Sequence, residues 1–376
     1  MSRKQARNIF ESTDAFEAWM RKRTDVSKRL LKKKHSEMAE GPFPFLRSTF
    51  YRWAEQWPGV CPELAARTND VLLAVGDLHV ANFGVWCDAR RRQVWGVNDF
   101  DEACELPFTS DLVRLAASAL LAAAEAQIDV EVDQVCEPLL AGYRAGLRTG
   151  QPILVSERHP TLVILTRQTQ EDPETFWKKK LRGKDNPEID AGELPRGLEA
   201  MFRASFRPGA KLTFHVQRSP GGLGSLGRRR FTAVETRKGV HEAREAKALV
   251  PSAQYWMTKQ DDMPSQTATL LQHAVRIPDP FFQVHDRWLV RQLAPDIAKI
   301  EMPQPEDKRL ARAPELLRLM GRETANIHLG SRTSEDLGER LGSLDQNLPQ
   351  WFPQAAERMV ASVRTDHAKW AERYRD

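Results

Sequence analysis

The chain reads as an α+β protein, mostly helical, with a smaller antiparallel-sheet part. Three observations carry this. Long apolar-periodic segments stand at 8–40, 110–126, 312–331 and from 354 onwards. Strand-like alternation with a glycine cluster is concentrated in 211–249 and in "FFQVHDRWLVRQL" (281–293). Between them, 151–210 is charged and interrupted by proline, which fits surface helices and a linker.

Element by element, 8–40 reads as helix, with capping-type residues in "ESTDAFEAWM". "GPFPFLRSTFYRWAEQW" (41–57) is a proline-broken segment leading into an aromatic-rich helix. "VLLAV" (71–75) reads as a buried strand turning at Gly76, and "RQVWGVNDF" (92–100) as a second strand whose end delivers Asp99 and Asp101. "SDLVRLAASALLAAAEA" (110–126) is a strong helix, with Ser110 or Asp111 placed to cap it. The parts expected are a basic helical segment (1–40), a large-lobe part (41–205), a small glycine-loop β part (206–300) and C-terminal helices (301–376).

Composition narrows the function classes. With 376 residues, 41% hydrophobic and 28% charged, the chain has ample length for a packed core and no disorder signature. Its net charge of +5 is mild but concentrated in "MRKRTDVSKRLLKKKH" (19–34), a solvated amphipathic helix or a contact for an acidic partner. Val26, Leu30 and Leu31 are the residues expected to turn inward. No zinc-finger spacing or aromatic-rich RNA-binding signature accompanies the run. The four cysteines are scattered without a CxxC pair, against a disulfide framework or structural zinc. The N-terminus lacks a signal-peptide pattern, and the longest apolar run (115–126) is too short for a bilayer. A cytoplasmic location is the expectation.

The chemistry starts in "VGDLHVANFG" (75–84). Asp77 and Asn82 stand five apart, matching the D-L-x-x-x-N part of a kinase catalytic loop. There an Asp orients the attacking hydroxyl, and an amide oxygen holds magnesium against nucleotide phosphates. The usual histidine before the Asp is absent, and His79 is the candidate that supplies compensating loop bonds. "VNDFDEA" resembles the D-F-G magnesium aspartate with Asp in place of Gly, so Asp99 and Asp101 join Asn82 as candidate ligands. Asp111 either braces this loop or caps its helix, and capping is the expectation. Gly222, Gly224 and Gly227 form GxGxxG, followed by a strand-like segment, so they fit a phosphate-covering turn between antiparallel strands. "HEAREAKALVPSA" then offers Arg244 or Lys247 as the phosphate-pairing cation. "LVRQL" fits a connection between lobes.

These pieces appear in permuted order. Read from 211 to the end and then from 41 to 150, they fall into kinase order, as a circular permutation would produce. The expectation is therefore a two-lobed, protein-kinase-like fold with permuted sequence, binding ATP and Mg²⁺ between its lobes.

The set "KHSEMAEGPFPFLR", "GDLHVANFG", "NDFDEA", "DLVRLAAS", "GGLGSLGRRRF", "REAKALVPSA", "VRQL" and "GRETANIHLGSR" resembles, in order over residues 30–335, the bacterial DUF2252 family, which has no assigned activity. Its motifs are similar to those of the protein-kinase-like and aminoglycoside-phosphotransferase-like superfamily. The resemblance implicates Arg47 as a phosphate- or substrate-binding residue and His328 as the end of the helix before the catalytic loop. The chain departs from the family pattern at Ser48 and Arg244. A small-molecule hydroxyl or amine acceptor is the implied substrate class. Two rivals remain: a catalytically silent nucleotide-binding module, and a metal-dependent phosphoesterase suggested by "GDLH".

Overall fold

The computed structural model describes residues 7–169, 171–181, 186–217, 227–295, 297 and 313–374. It is α+β, with helices predominating and, among the described residues, three small antiparallel sheets. Among the described residues, no helix is long and apolar enough to cross a membrane.

The helical part is built around Phe108–Glu125, buried along nearly its whole length. Apolar residues on every side make it a core helix rather than a surface one. It begins at Phe108, two residues earlier than expected, so Ser110 and Asp111 lie inside the first turn and neither caps it. Beside it, Val132–Thr149 and Ala313–His328 touch backbone to backbone. A Cβ on Gly142 would stand 1.9 Å from the Arg318 carbonyl oxygen, and one on Gly321 would stand 2.0 Å from that of Leu139. Gly321→Ala should therefore cost about 1–3 kcal/mol in urea denaturation, because neither backbone can yield without moving a helix. Gly338→Ala, with nothing within 4 Å in the exposed helix Ser334–Asn347, should be neutral or stabilising by up to about 1 kcal/mol.

The N-terminal stretch expected as one helix is two, Ile9–Arg21 and Lys28–Glu40, each opened by a side-chain cap from Asn8 and Ser27. As expected, Leu30 and Leu31 turn inward, with Val26 packed against the same core. Lys34 is buried as well, which the charge run did not announce. The proline-broken segment is itself helical: Pro42–Ser48 carries Pro42 at its first position, where the missing N–H costs nothing, and Phe50–Val60 follows.

The largest sheet has six strands in the order Gln283–His285, Trp288–Leu293, Val240–Ala248, Arg230–Arg237, Leu212–Gln217 and Glu188–Ile189. Its edge strand and the helix Leu198–Ala204 fall before residue 206, where the β part was expected to begin. Strand alternation gives the sheet two unlike faces. Phe231, Ala233, Ala246, Ala248, Trp288 and Val290 form a second core with Leu198, Phe202 and Phe206. Arg230, Glu245, Lys247 and Arg291 have the opposite parity in the same register and face the helical part.

Candidate functional site

Two ladders bring the distant loops together. Val71–Ala74 pairs with Cys104–Pro107, so segments 75–82 and 98–103 leave the same end of one antiparallel pair. The hairpin of Phe83–Cys87 and Gln93–Val97 closes the other side, with Phe83 opposite Val97 and the Asn98 N–H donating to the Asn82 carbonyl at 2.9 Å. Gly76 sits at φ +79° with the Glu102 carbonyl oxygen 2.3 Å from where a Cβ would be, which requires glycine there.

Asp111 braces this turn, contrary to the capping role expected of it. Its carboxylate accepts the Val75 N–H at 2.8 Å and the Gly76 N–H at 2.9 Å. His328 Nε2 lies 3.2 Å from the same carboxylate, and the Tyr143 hydroxyl lies 3.0 Å from His328 Nδ1. The whole chain of contacts is buried. A capping role would need the helix to start at Asp111, whereas the strand Cys104–Pro107 runs directly into a helix starting at Phe108.

Asp77 is held by Arg114, whose Nε donates to Oδ1 at 3.0 Å and whose Nη2 donates to the same oxygen. Arg114 also donates to the Leu46 carbonyl at 2.8 Å and lies over the rings of Trp53 and Phe50. Burial pushes the Asp77 carboxyl up to about 6, against the pull of Arg114; Asp99 adds to the rise and Arg47 opposes it. Both Asp99 and Arg47 are therefore electrostatic neighbours of Asp77. Arg47 itself stacks over Phe43, 5.4 Å from the ring centroid. His79 stays 4.0 Å from Asp77 Oδ2, and its backbone N–H donates to Asn82 Oδ1 at 2.7 Å. Ser118 Oγ accepts the following N–H of Val80 at 3.0 Å. The loop is thus held by its own polar side chains, with Asn82 buried.

From the sheet, Lys247 reaches across. Its Nζ lies 3.1 Å from Asp99 Oδ1 and 2.7 Å from Asp101 Oδ1, while Arg228 approaches Asp101 Oδ2 at 3.4 Å. Arg244 does not join them. Three residues away on the same strand, it has the opposite parity and points to the other face. There it donates to Glu242 at 2.6 Å and stacks on Phe281, 3.9 Å from the ring centroid, and on Phe206. Gly222 and Gly224 lie outside the described residues. Gly227 has φ +107° and its carbonyl accepts the Ser27 N–H at 2.9 Å, tying the end of the glycine segment to the N-terminal helix. Among the described residues, no group of three or more His, Cys, Asp or Glu side chains is arranged to hold a metal ion.

Sequence reasoning missed Arg114, Arg228 and Glu102. The signal for Arg114 was present: it is the one charge between Asp111 and Glu125 in an otherwise apolar helix. Glu102, buried beside the loop, is pushed up to about 7 by burial against the pull of Arg228, and it accepts the Ala253 N–H at 2.7 Å. Lys34 is pushed down to about 8 by burial, with Glu17 opposing; the charges of Arg228, Glu102 and Asp77 reach it too. Flanking the acidic pair is a cavity of about 170 Å³ lined by Val85, Trp86, Asn98, Phe282, Leu293 and Ala294 among others, so the end of "LVRQL" forms part of its wall.

No curated protein and no solved structure matches the chain. A family match covers residues 26–187, the stretch that holds Arg47, Asp77, Asn82, Asp99, Asp101, Asp111 and Arg114 and ends just before the six-stranded sheet. Over that stretch the chain is similar to the DUF2252 family, described as an uncharacterized protein conserved in bacteria.

Proposed function

We propose that the protein is an ATP- and magnesium-dependent phosphotransferase with a small-molecule acceptor, on a two-lobed, kinase-like fold in circularly permuted order. The observation that carries this reading is the Lys247 bridge. A lysine from the sheet's charged face meets two aspartates at the end of a strand in the helical part, beside Asp77 and a cavity between the two parts. Phosphoryl transfer needs such a meeting of cation, carboxylates and an orienting Asp, because its catalysis is mostly positioning and charge neutralisation.

The donor set suits magnesium. Asn82, Asp99 and Asp101 offer oxygen only, and the position between the two carboxylates already accommodates positive charge, that of the Lys247 ammonium. When bound, the ion would neutralise phosphate charge. The base would take the cavity lined by Trp86, Phe282, Leu293 and Ala294. Asp77 would orient the acceptor hydroxyl, with Arg47 near it.

The silent-module reading is favoured by one observation, the double hold of Arg114 on Asp77 Oδ1, which engages that oxygen and opposes the rise in the carboxyl's pKa. Turnover decides between the two. Binding is tested separately: Asp99→Ala should weaken magnesium-ATP about ten- to a hundredfold by titration calorimetry, while leaving magnesium-free nucleotide affinity within a few-fold. Unchanged magnesium-ATP affinity would remove the role given to Asp99.

A further inference from the structure

The charged face of the sheet holds more than Lys247. Arg291 Nε and Nη2 both donate to Glu245 Oε1, at 3.0 and 2.7 Å, and Arg230 Nη1 donates to the same oxygen at 2.8 Å. Glu245 is buried and satisfied by this fork, so its one negative charge is set against two arginines. Arg291 keeps 25% of its side chain exposed and lines the cavity beside Asn98, together with Lys180 from the helix Pro173–Leu181. The third cation of the cavity, Arg276, is committed elsewhere: it stacks on Trp86 and Phe100 and donates to the Val97 carbonyl at 3.2 Å. Asp279 is the one acid among these lining residues, against three cations, and a site for a neutral base alone has no use for this excess of positive charge.

We infer that Arg291 and Lys180 bind the polyphosphate of a nucleoside triphosphate, extending the Lys247 contact into a three-cation cradle, with Glu245 as the residue that positions Arg291. This rests on the nucleotide reading above and adds to it a specificity for the length of the phosphate chain. Arg291 is set to do this by register. It lies opposite Glu245 on the neighbouring strand, two residues before Lys247, so the guanidinium and the ammonium emerge from one face one strand apart. The Glu245 carboxylate fixes one side of the guanidinium plane, which pre-organises the group for oxyanion binding. The proximity is also electrostatic: burial alone would weaken the charge of Arg291, but Glu245, Asp99 and Asp101 hold its pKa above the ordinary value.

The test is titration of the full chain with magnesium-ATP, adenosine and inorganic tripolyphosphate, for wild type, Arg291→Gln, Arg291→Lys and Lys180→Gln. Wild type is expected to bind ATP and tripolyphosphate. Arg291→Gln and Lys180→Gln should each weaken both by about tenfold or more while changing adenosine affinity by no more than a few-fold, and Arg291→Lys should recover part of the loss. An arginine that only holds the sheet together would weaken all three ligands alike or none. Lys180 is outside the Glu245 fork, so its variant keeps the test decisive if Arg291→Gln does not fold. ATP binding that is unchanged in both glutamine variants overturns the cradle and leaves the nucleotide reading standing. Tripolyphosphate binding without ATP binding leaves the cradle and overturns the nucleotide reading. Wild type that binds neither overturns both.

Discussion

Asp77→Asn should bind magnesium-ATP as the wild type does and turn over about 10²- to 10⁴-fold more slowly, the usual worth of a positioned acid–base group. Equal turnover would remove Asp77 from the chemistry; absence of turnover in the wild type would leave the silent module. The pH dependence follows from the environment of Asp77. On the proposed phosphotransferase reading the deprotonated form is the competent one, and burial places its titration at about 6, so the rate should fall as pH drops through about 6 and be level above it. On the proposed reading, magnesium bound beside Asp99 would favour the charged form of Asp77 and move this limb to lower pH.

The same group sets a stability trend of definite sign. Its folded pKa of about 6 lies above the ordinary 3.8, so between these values the folded state binds more protons than the unfolded chain. Stability then falls as pH rises through this window, by about 3 kcal/mol at most, and the cost is fully present above pH 6. Asp77→Asn removes that contribution, so urea denaturation at pH 4.5 and 7.5 should give a flatter profile for the variant. A wild type that gains stability relative to the variant over this rise would contradict the burial of Asp77.

Asp111→Ala should destabilise the protein by about 3–5 kcal/mol. It deletes the acceptor for two buried backbone N–H groups and for His328 at once. Among the described residues no other acceptor takes those N–H groups, and both lie in a buried part of the turn. Asp111→Asn keeps one acceptor oxygen and should cost less. Both variants should lower turnover by more than their unfolded fraction accounts for, since the turn they release carries Asp77. Chemical denaturation and activity measured on the same samples check this, and a loss below about 1 kcal/mol for the alanine variant would show that the brace is dispensable.

Much of the helical scaffold was legible in the residues. The helices at 108–125, 313–328 and 351–374 and the strand Val71–Ala74 stand where periodicity puts them, within a few residues. The strand Cys104–Pro107 was not foreseen. It is four residues long, with an exposed acid in an otherwise buried pattern, and its stability comes from pairing with Val71–Ala74 rather than from its own sequence. The break at 22–27 was also missed, although Thr24, Asp25, Val26 and Ser27 interrupt the basic run there and Ser27 caps the second helix.

Residue types and their spacing along the chain are enough to suggest chemistry: Asp77 with Asn82, Asp99 with Asp101, and a short list of candidate cations. Which of these meet depends on how the sheet and the helices pack. Arg244 and Lys247 are three apart on a strand, and the two-residue pleat sends them to opposite faces, but which face looks towards Asp99 is set by how the sheet docks on the helical part. Likewise Asp111 changes from an expected cap to a brace because His328, 217 residues away, is brought against it by glycine-lined helix packing. Local patterns record propensity and parity, whereas contacts between distant segments depend on the packing of whole elements, which no single segment encodes.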